Sequence, residues 1–124
     1  MTTATSGAGR GSVILVVEDD DAVCEEVCDA LRDDGHQVLT ARDGRRALAL
    51  LAQLRPSLIL LDLMLPDVNG WEVLAVLRAT PQLADIPVVV MSAHVHEAPL
   101  KVAHVLRKPM SIDELRDVVR RSCG

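Results

Sequence analysis

The sequence is nearly free of aromatic residues: Trp71 stands alone, with no Phe or Tyr, and aromatics make up 1% of the 124 residues. A core without rings has to be assembled from Val, Leu, Ile and Ala. At 49% hydrophobic content the chain holds enough of these for one ordinary domain, with little room for a second. Long apolar runs are missing too. None approaches the roughly 20 residues that cross a bilayer, and the opening MTTATSGAGRGS has no apolar stretch for a signal peptide or anchor. The expectation is a soluble, cytoplasmic protein that does not engage membrane, with residues 1–11 a flexible leader and 12–124 a single domain. Cysteine is scarce and unpatterned. Cys24 and Cys28 lie four apart in a helical pattern, Cys123 is far away, and the spacing of zinc ligands is absent. The three read as reduced, helix-facing residues. Positive charge is in deficit, with 13 Lys and Arg against 18 Asp and Glu for a net charge of −5. No basic face is evident, which argues against nucleic acid as a partner.

What the chain does have is short aliphatic runs alternating with helical periodicity, the pattern of parallel strands joined by crossover helices. Aliphatic runs of this kind suit a sheet covered on both faces. VILVV (13–17), QVLTA (37–41), LILL (58–61), VVVM (88–91) and the short VL (105–106) read as five strands. Four helices fit between and after them. The acids at 19–21 cap a first helix with Val23, Val27, Ala30 and Leu31 on one face, stopped by Gly35. Asp43 caps a second, with Ala47, Leu50, Leu51 and Leu54 on one face and Pro56 barring continuation. A third runs from about Trp71 to Ala79. The last begins at Ser111, with Glu114 completing a capping-box pattern. Ser92 to Lys108 must hold a crossover and the fifth strand, so any further helix there is at most a turn or two.

Four of the runs end in residues suited to a phosphoryl group or a divalent metal: Glu18 and Asp19, Asp62, Ser92, and Arg107 with Lys108. In a parallel sheet these ends share one edge, and open α/β sheets bind ligands there. Three carboxylates drawn together are costly unless a cation sits among them. Mg²⁺ is the natural occupant, since it prefers oxygen ligands and binds through one or two carboxylates plus phosphate oxygens. Asp62 has apolar neighbours on both sides, so its charge needs compensation, which metal and Lys108 can provide. A carboxylate can itself be the nucleophile that accepts a phosphoryl group, with Ser92 and Lys108 placed to bind phosphoryl oxygens. The plainer reading of the acids at 18–21 is helix capping, and Asp20 and Asp21 fit that role alone. His94 and His96 read as loop residues and not as a metal pair. Trp71 reads as a half-buried anchor.

Over residues 12–122, the motifs VILVVEDDD, LILLDLMLPDVNGWEVL, IPVVVMSA and RKPM resemble, in order and spacing, a receiver domain of two-component response regulators. The resemblance implies a doubly wound, five-stranded parallel sheet of flavodoxin-like order 2-1-3-4-5, here with a shortened or absent fourth helix. It implies that Asp62 is the phosphoacceptor, Asp19 the direct Mg²⁺ ligand, and Glu18 a ligand acting through metal-bound water. Met64 would lend its backbone carbonyl to the metal. Ser92 would be the switch hydroxyl and Lys108 the lysine that pairs with the acceptor or its phosphate, with Lys108–Pro109 a candidate cis bond. The implied partners are a histidine kinase or histidine phosphotransfer protein and an unknown downstream protein, and a homodimer stays open. The chain would then act as a stand-alone receiver without effector domain, and not as an enzyme beyond its own phosphorylation and dephosphorylation.

Two departures from the family pattern stand out. Val105 occupies the position where an aromatic residue usually reports phosphorylation, and the connection from Ser92 to Lys108 is short by about one and a half turns of helix. They motivate an alternative, a degenerate receiver that binds proteins independently of phosphorylation. A hydrolase of the haloacid-dehalogenase type would need Asp where Met64 stands. A flavin-phosphate binder would be repelled by EDDD.

Overall fold

The computed structural model describes residues 12–93 and 102–123. Five strands form one parallel sheet: β1 (Val13–Val17), β2 (Gln37–Ala41), β3 (Leu58–Asp62), β4 (Val88–Ser92) and β5 (His104–Arg107). Their spatial order is β2-β1-β3-β4-β5, the expected 2-1-3-4-5. The order reverses at β1, so the first crossover goes one way and the later ones the other. That reversal opens a crevice between the ends of β1 and β3.

Strand periodicity divides the core in two. Ile14, Val16, Leu58, Leu60, Val89, Met91 and Leu106 pack in one layer, while Leu15, Val17, Ile59, Leu61, Val88 and Val90 pack in the other. The first layer is closed by α1 (Asp21–Asp33) and α4 (Ile112–Cys123), the second by α2 (Gly44–Leu51) and α3 (Gly70–Ala79). Every residue of β3 and β4 is buried. Each fully buried aliphatic side chain contributes about 1.5–3 kcal/mol, which is how a core without Phe or Tyr can hold the sheet.

The helix starts are set by side-chain caps. Asp20 Oδ1 accepts from Val23 N at 3.1 Å, Asp43 Oδ1 from Arg46 N at 2.8 Å, Asn69 Oδ1 from Glu72 N at 3.0 Å, and Ser111 Oγ from Glu114 N at 3.0 Å. Such caps contribute about 1 kcal/mol each. Several boundaries differ from the sequence reading, two of them for a reason visible in the chain. α3 begins at Gly70, because Asn69 is its cap. α2 ends at Leu51, three residues before Leu54, because the chain has to leave helical geometry ahead of Pro56. The short fourth helix expected between Ser92 and Lys108 and the histidines His94 and His96 fall on 94–101, outside the described residues, as does the leader.

Cys24 and Cys28 are buried and free on one face of α1, with Sγ atoms 3.9 Å apart. Burial pushes the Cys28 thiol up to about 12, which keeps it protonated and unreactive. Trp71 keeps 46% of its surface exposed at the start of α3.

Candidate functional site

The same alternation that sorts the core carries on past the strand ends. Glu18 keeps the parity of Ile14 and Val16, Asp62 that of Leu58 and Leu60, and Lys108 that of Leu106. All three are therefore delivered to the α1/α4 side of the edge. Glu18 extends the ladder of β1, since its N–H donates to the Ala41 carbonyl at 3.0 Å. Across the crevice, β3 is held to β4 in the register Asp62↔Met91, and β4 to β5 in the register Ser92↔Arg107. The Lys108 N–H donates to the Ser92 carbonyl at 2.9 Å. Residues separated by up to 90 positions thus meet on main-chain geometry alone.

At the meeting point, carboxylate oxygens of Glu18, Asp19 and Asp62 all lie within 4.8 Å of one another. Glu18 is fully buried, Asp62 is buried at 3% exposure, and Asp19 is exposed at the mouth. Lys108 reaches in from the end of β5. Its Nζ donates to Asp62 Oδ2 at 2.9 Å and also pairs with Glu18 Oε1. Asp62 Oδ1 accepts from Met64 N at 2.9 Å, and Glu18 Oε2 from Asp20 N at 3.2 Å. Met64 itself leaves its side chain exposed at 60%, so its link to the site is through the main chain. Ser92 is fully buried at the end of β4, next to Lys108 in the ladder.

Three carboxylates cluster at an ammonium that pairs with two of them, and the imbalance appears in the acidity of Glu18. Burial raises the Glu18 carboxyl from 4.5 to about 7, with the Lys108 hydrogen bond pulling down and the charge of Asp62 pushing up. Lys108 shows the converse. Burial alone would lower it, but hydrogen bonds to Glu18 and Asp62 outweigh that and hold it above its ordinary value. A divalent cation fits this donor set, which offers three clustered oxygens with too little positive charge around them.

A stability prediction follows from Glu18. The unfolded chain releases this proton near pH 4.5, while the native fold keeps it until about 7. Between those values the native state binds more protons, so raising the pH favours unfolding, and the contribution is fully lost above pH 7. Glu18→Gln removes that dependence. In metal-free buffer the melting temperature of wild type should fall relative to Glu18→Gln between about pH 5 and about pH 8, and added Mg²⁺ should restore it. A constant difference across that range contradicts the assignment.

Each of the site residues read from the sequence is in or beside this pocket. The sequence reading gave Lys108 to the acceptor or its phosphate, and its pairing with Glu18 was missed, although strand parity carried that signal. It also missed Gly70. A Cβ there would overlap the carbonyl oxygen of Asp62 and stand 2.5 Å from the Cα of Leu63. Only glycine lets α3 start directly against the backbone of the acidic residue. Its position after Pro66, Asp67 and Asn69 was the available hint.

Comparison with known proteins agrees with this architecture. Residues 14–120 match the response regulator receiver domain. Over 80 residues, 64% of this chain and 33% of the relative, the sequence is 45% identical to the DNA-binding dual master transcriptional regulator RpaA of Synechocystis. Among solved structures it is similar to the chemotaxis response regulator CheY4 of Vibrio cholerae, with a TM-score of 0.82 at 26% identity, covering 90% of this chain and 98% of that one. It is also similar to the Mn(2+)-bound form of response regulator Rcp1, with a TM-score of 0.76 at 37% identity, covering 89% of this chain and 90% of that one. The chain spans about a third of the length of the curated relatives it first matches, 33% and 34%.

Proposed function

The chain belongs to the response regulator receiver domain family, and from that membership we propose that Asp62 accepts a phosphoryl group from a phosphohistidine on a histidine kinase or phosphotransfer protein, in an Mg²⁺-dependent step. The observation that carries the proposal is the contact of Lys108 Nζ with Asp62 at 2.9 Å, in a pocket where Asp19 and Glu18 supply further oxygens. In the step itself a carboxylate oxygen of Asp62 attacks phosphorus, a new O–P bond forms, and the N–P bond to the donor imidazole breaks. The electron pair leaves on that nitrogen.

Glu18, Asp19 and Asp62 would hold the cation, with the backbone of Met64 completing the set. When bound, Mg²⁺ offsets the repulsion between the carboxylate and the incoming phosphoryl oxygens. Lys108, fixed by two carboxylates, supplies a positive charge already aimed at the acceptor, so none of it has to be reorganised during transfer. Ser92 would donate its hydroxyl to a phosphoryl oxygen. The acidic balance of the chain, −5 overall, fits protein partners better than a nucleic-acid backbone.

Incubation with acetyl phosphate tests the proposal. Intact mass should show the addition of one phosphoryl group with Mg²⁺ present and none with excess chelator. An unchanged mass under both conditions contradicts it. The second reading, a phosphorylation-independent interaction module, draws on Val105, a partly buried aliphatic residue of β5 with no ring to rotate. Tryptophan emission separates the two readings. Trp71 is the second residue of the helix that rests on Asp62, so its fluorescence should respond to Mg²⁺, whereas a flat titration on folded protein favours the interaction module.

A further inference from the structure

The loop from Leu63 to Asn69, which leaves the candidate acceptor, is caught between two glycines. At its far end Gly70 abuts the Asp62 carbonyl, and the Gly70 N–H donates to the Leu63 carbonyl at 3.0 Å, so the loop closes on its own start. At its outer bend Asp67 has φ 55°, a left-handed conformation uncommon for a residue with a side chain. That bend is pressed against α2. A Cβ on Gly44, the first residue of α2, would overlap the Val68 carbonyl oxygen and stand 2.9 Å from its Cβ. Arg45 reaches back to Asp67, Nε to Oδ2, at 3.8 Å. The loop therefore has no slack toward α2.

On its other flank α2 has room. Leu48, Leu51 and Ala52 face Val76, Thr80 and Leu83 of the α3 region across an open groove of about 480 Å³. A short helix with a tight contact at one end and unfilled space along one side can tilt at low cost, because few packed atoms have to separate. The driving contact lies in the pocket. Asp62 Oδ1 is taken by the Met64 N–H at 2.9 Å, so a ligand on that oxygen competes for it and shifts the start of the loop.

We infer that α2 is the mechanical output of the site: a change of ligand at Asp62 moves the Leu63–Asn69 loop, which acts through Val68 on Gly44 and tilts α2 into the groove beside α3. The inference rests on the proposed use of Asp62 as a ligand-accepting group. Because coupling is reciprocal, a change imposed on the α2 contact must alter ligand affinity at the pocket.

Hydrogen exchange by mass spectrometry on the full chain tests this, with Mg²⁺ plus beryllofluoride as the probe and fluorine NMR reporting its uptake. Amides of residues 44–51 should change exchange rate severalfold, with those of α4 changing far less. Uptake of the probe with 44–51 unchanged overturns the inference and leaves the acceptor proposal standing. No uptake at all overturns both. In the reciprocal direction, folded Gly44→Ala should change Mg²⁺ affinity severalfold, and wild-type affinity in that variant contradicts the coupling. If Gly44→Ala does not fold, the exchange experiment on wild type decides alone.

Discussion

Asp62→Ala is expected to reduce phosphoryl incorporation from acetyl phosphate to the chelator background. The expectation depends on where the other carboxylates are. Glu18 is fully buried and paired with Lys108, its carboxyl holding a proton up to about pH 7, so it is a poor nucleophile and lies deeper in the pocket. Asp19 is exposed at the mouth and belongs to the proposed cation site. Asp62 shares with Glu18 the clustering, a direct ammonium contact, at 2.9 Å for Asp62, and a main-chain donor on its second oxygen, and it is the less buried of the two at 3% against 0%. Intact mass and peptide mapping would read the result. Undiminished incorporation in Asp62→Ala, or phosphoryl mapped to another residue in wild type, contradicts the acceptor assignment.

Lys108→Ala should produce the largest loss of stability among substitutions at the site. It leaves Glu18 and Asp62, at 0% and 3% exposure, facing each other without a cation. Removing one partner from a buried charge pair costs about 3–5 kcal/mol. Lys108 itself is 19% exposed, which places the expectation at the lower end, about 3 kcal/mol. Protonation gives partial relief, so the loss should shrink as pH falls below the value of about 7 held by Glu18. Mg²⁺ should relieve it more fully, by supplying positive charge to the same oxygens. Urea titrations at about pH 8 with and without Mg²⁺ read both effects. A variant as stable as wild type in chelator means that Lys108 is not balancing the two acids.

The sheet was legible because each strand is a short aliphatic run with a turn signal after it, and the site was legible because those runs end in charged or hydroxyl residues. Lys108 and Glu18 could have been paired from sequence by counting alternation along β1 and β5, since Glu18 follows Val16 and Lys108 follows Leu106 on one face. Helix ends were less readable. Leu54 fits the periodicity of α2 and remains partly buried, yet the helix stops at Leu51. The approach to Pro56 overrides periodicity there. The contact at Gly44 was not readable, and the one at Gly70 was hinted at only by the turn residues before it. Both depend on how closely a backbone from a distant element approaches, and glycine in a sequence says only that such an approach is allowed. The loop conformation at Asp67 is hidden for the same reason.

The central claim is that acids from the ends of β1 and β3 converge to hold a divalent cation against Asp62. A crystal soaked in Mn²⁺ and measured near the manganese edge tests it most directly. The account predicts one strong anomalous peak at about 2.1 Å from oxygens of Asp19 and Asp62, with the Met64 backbone alongside, and its loss in Asp19→Asn. A folded wild-type protein with no peak in this pocket, or with manganese bound only elsewhere, would contradict it.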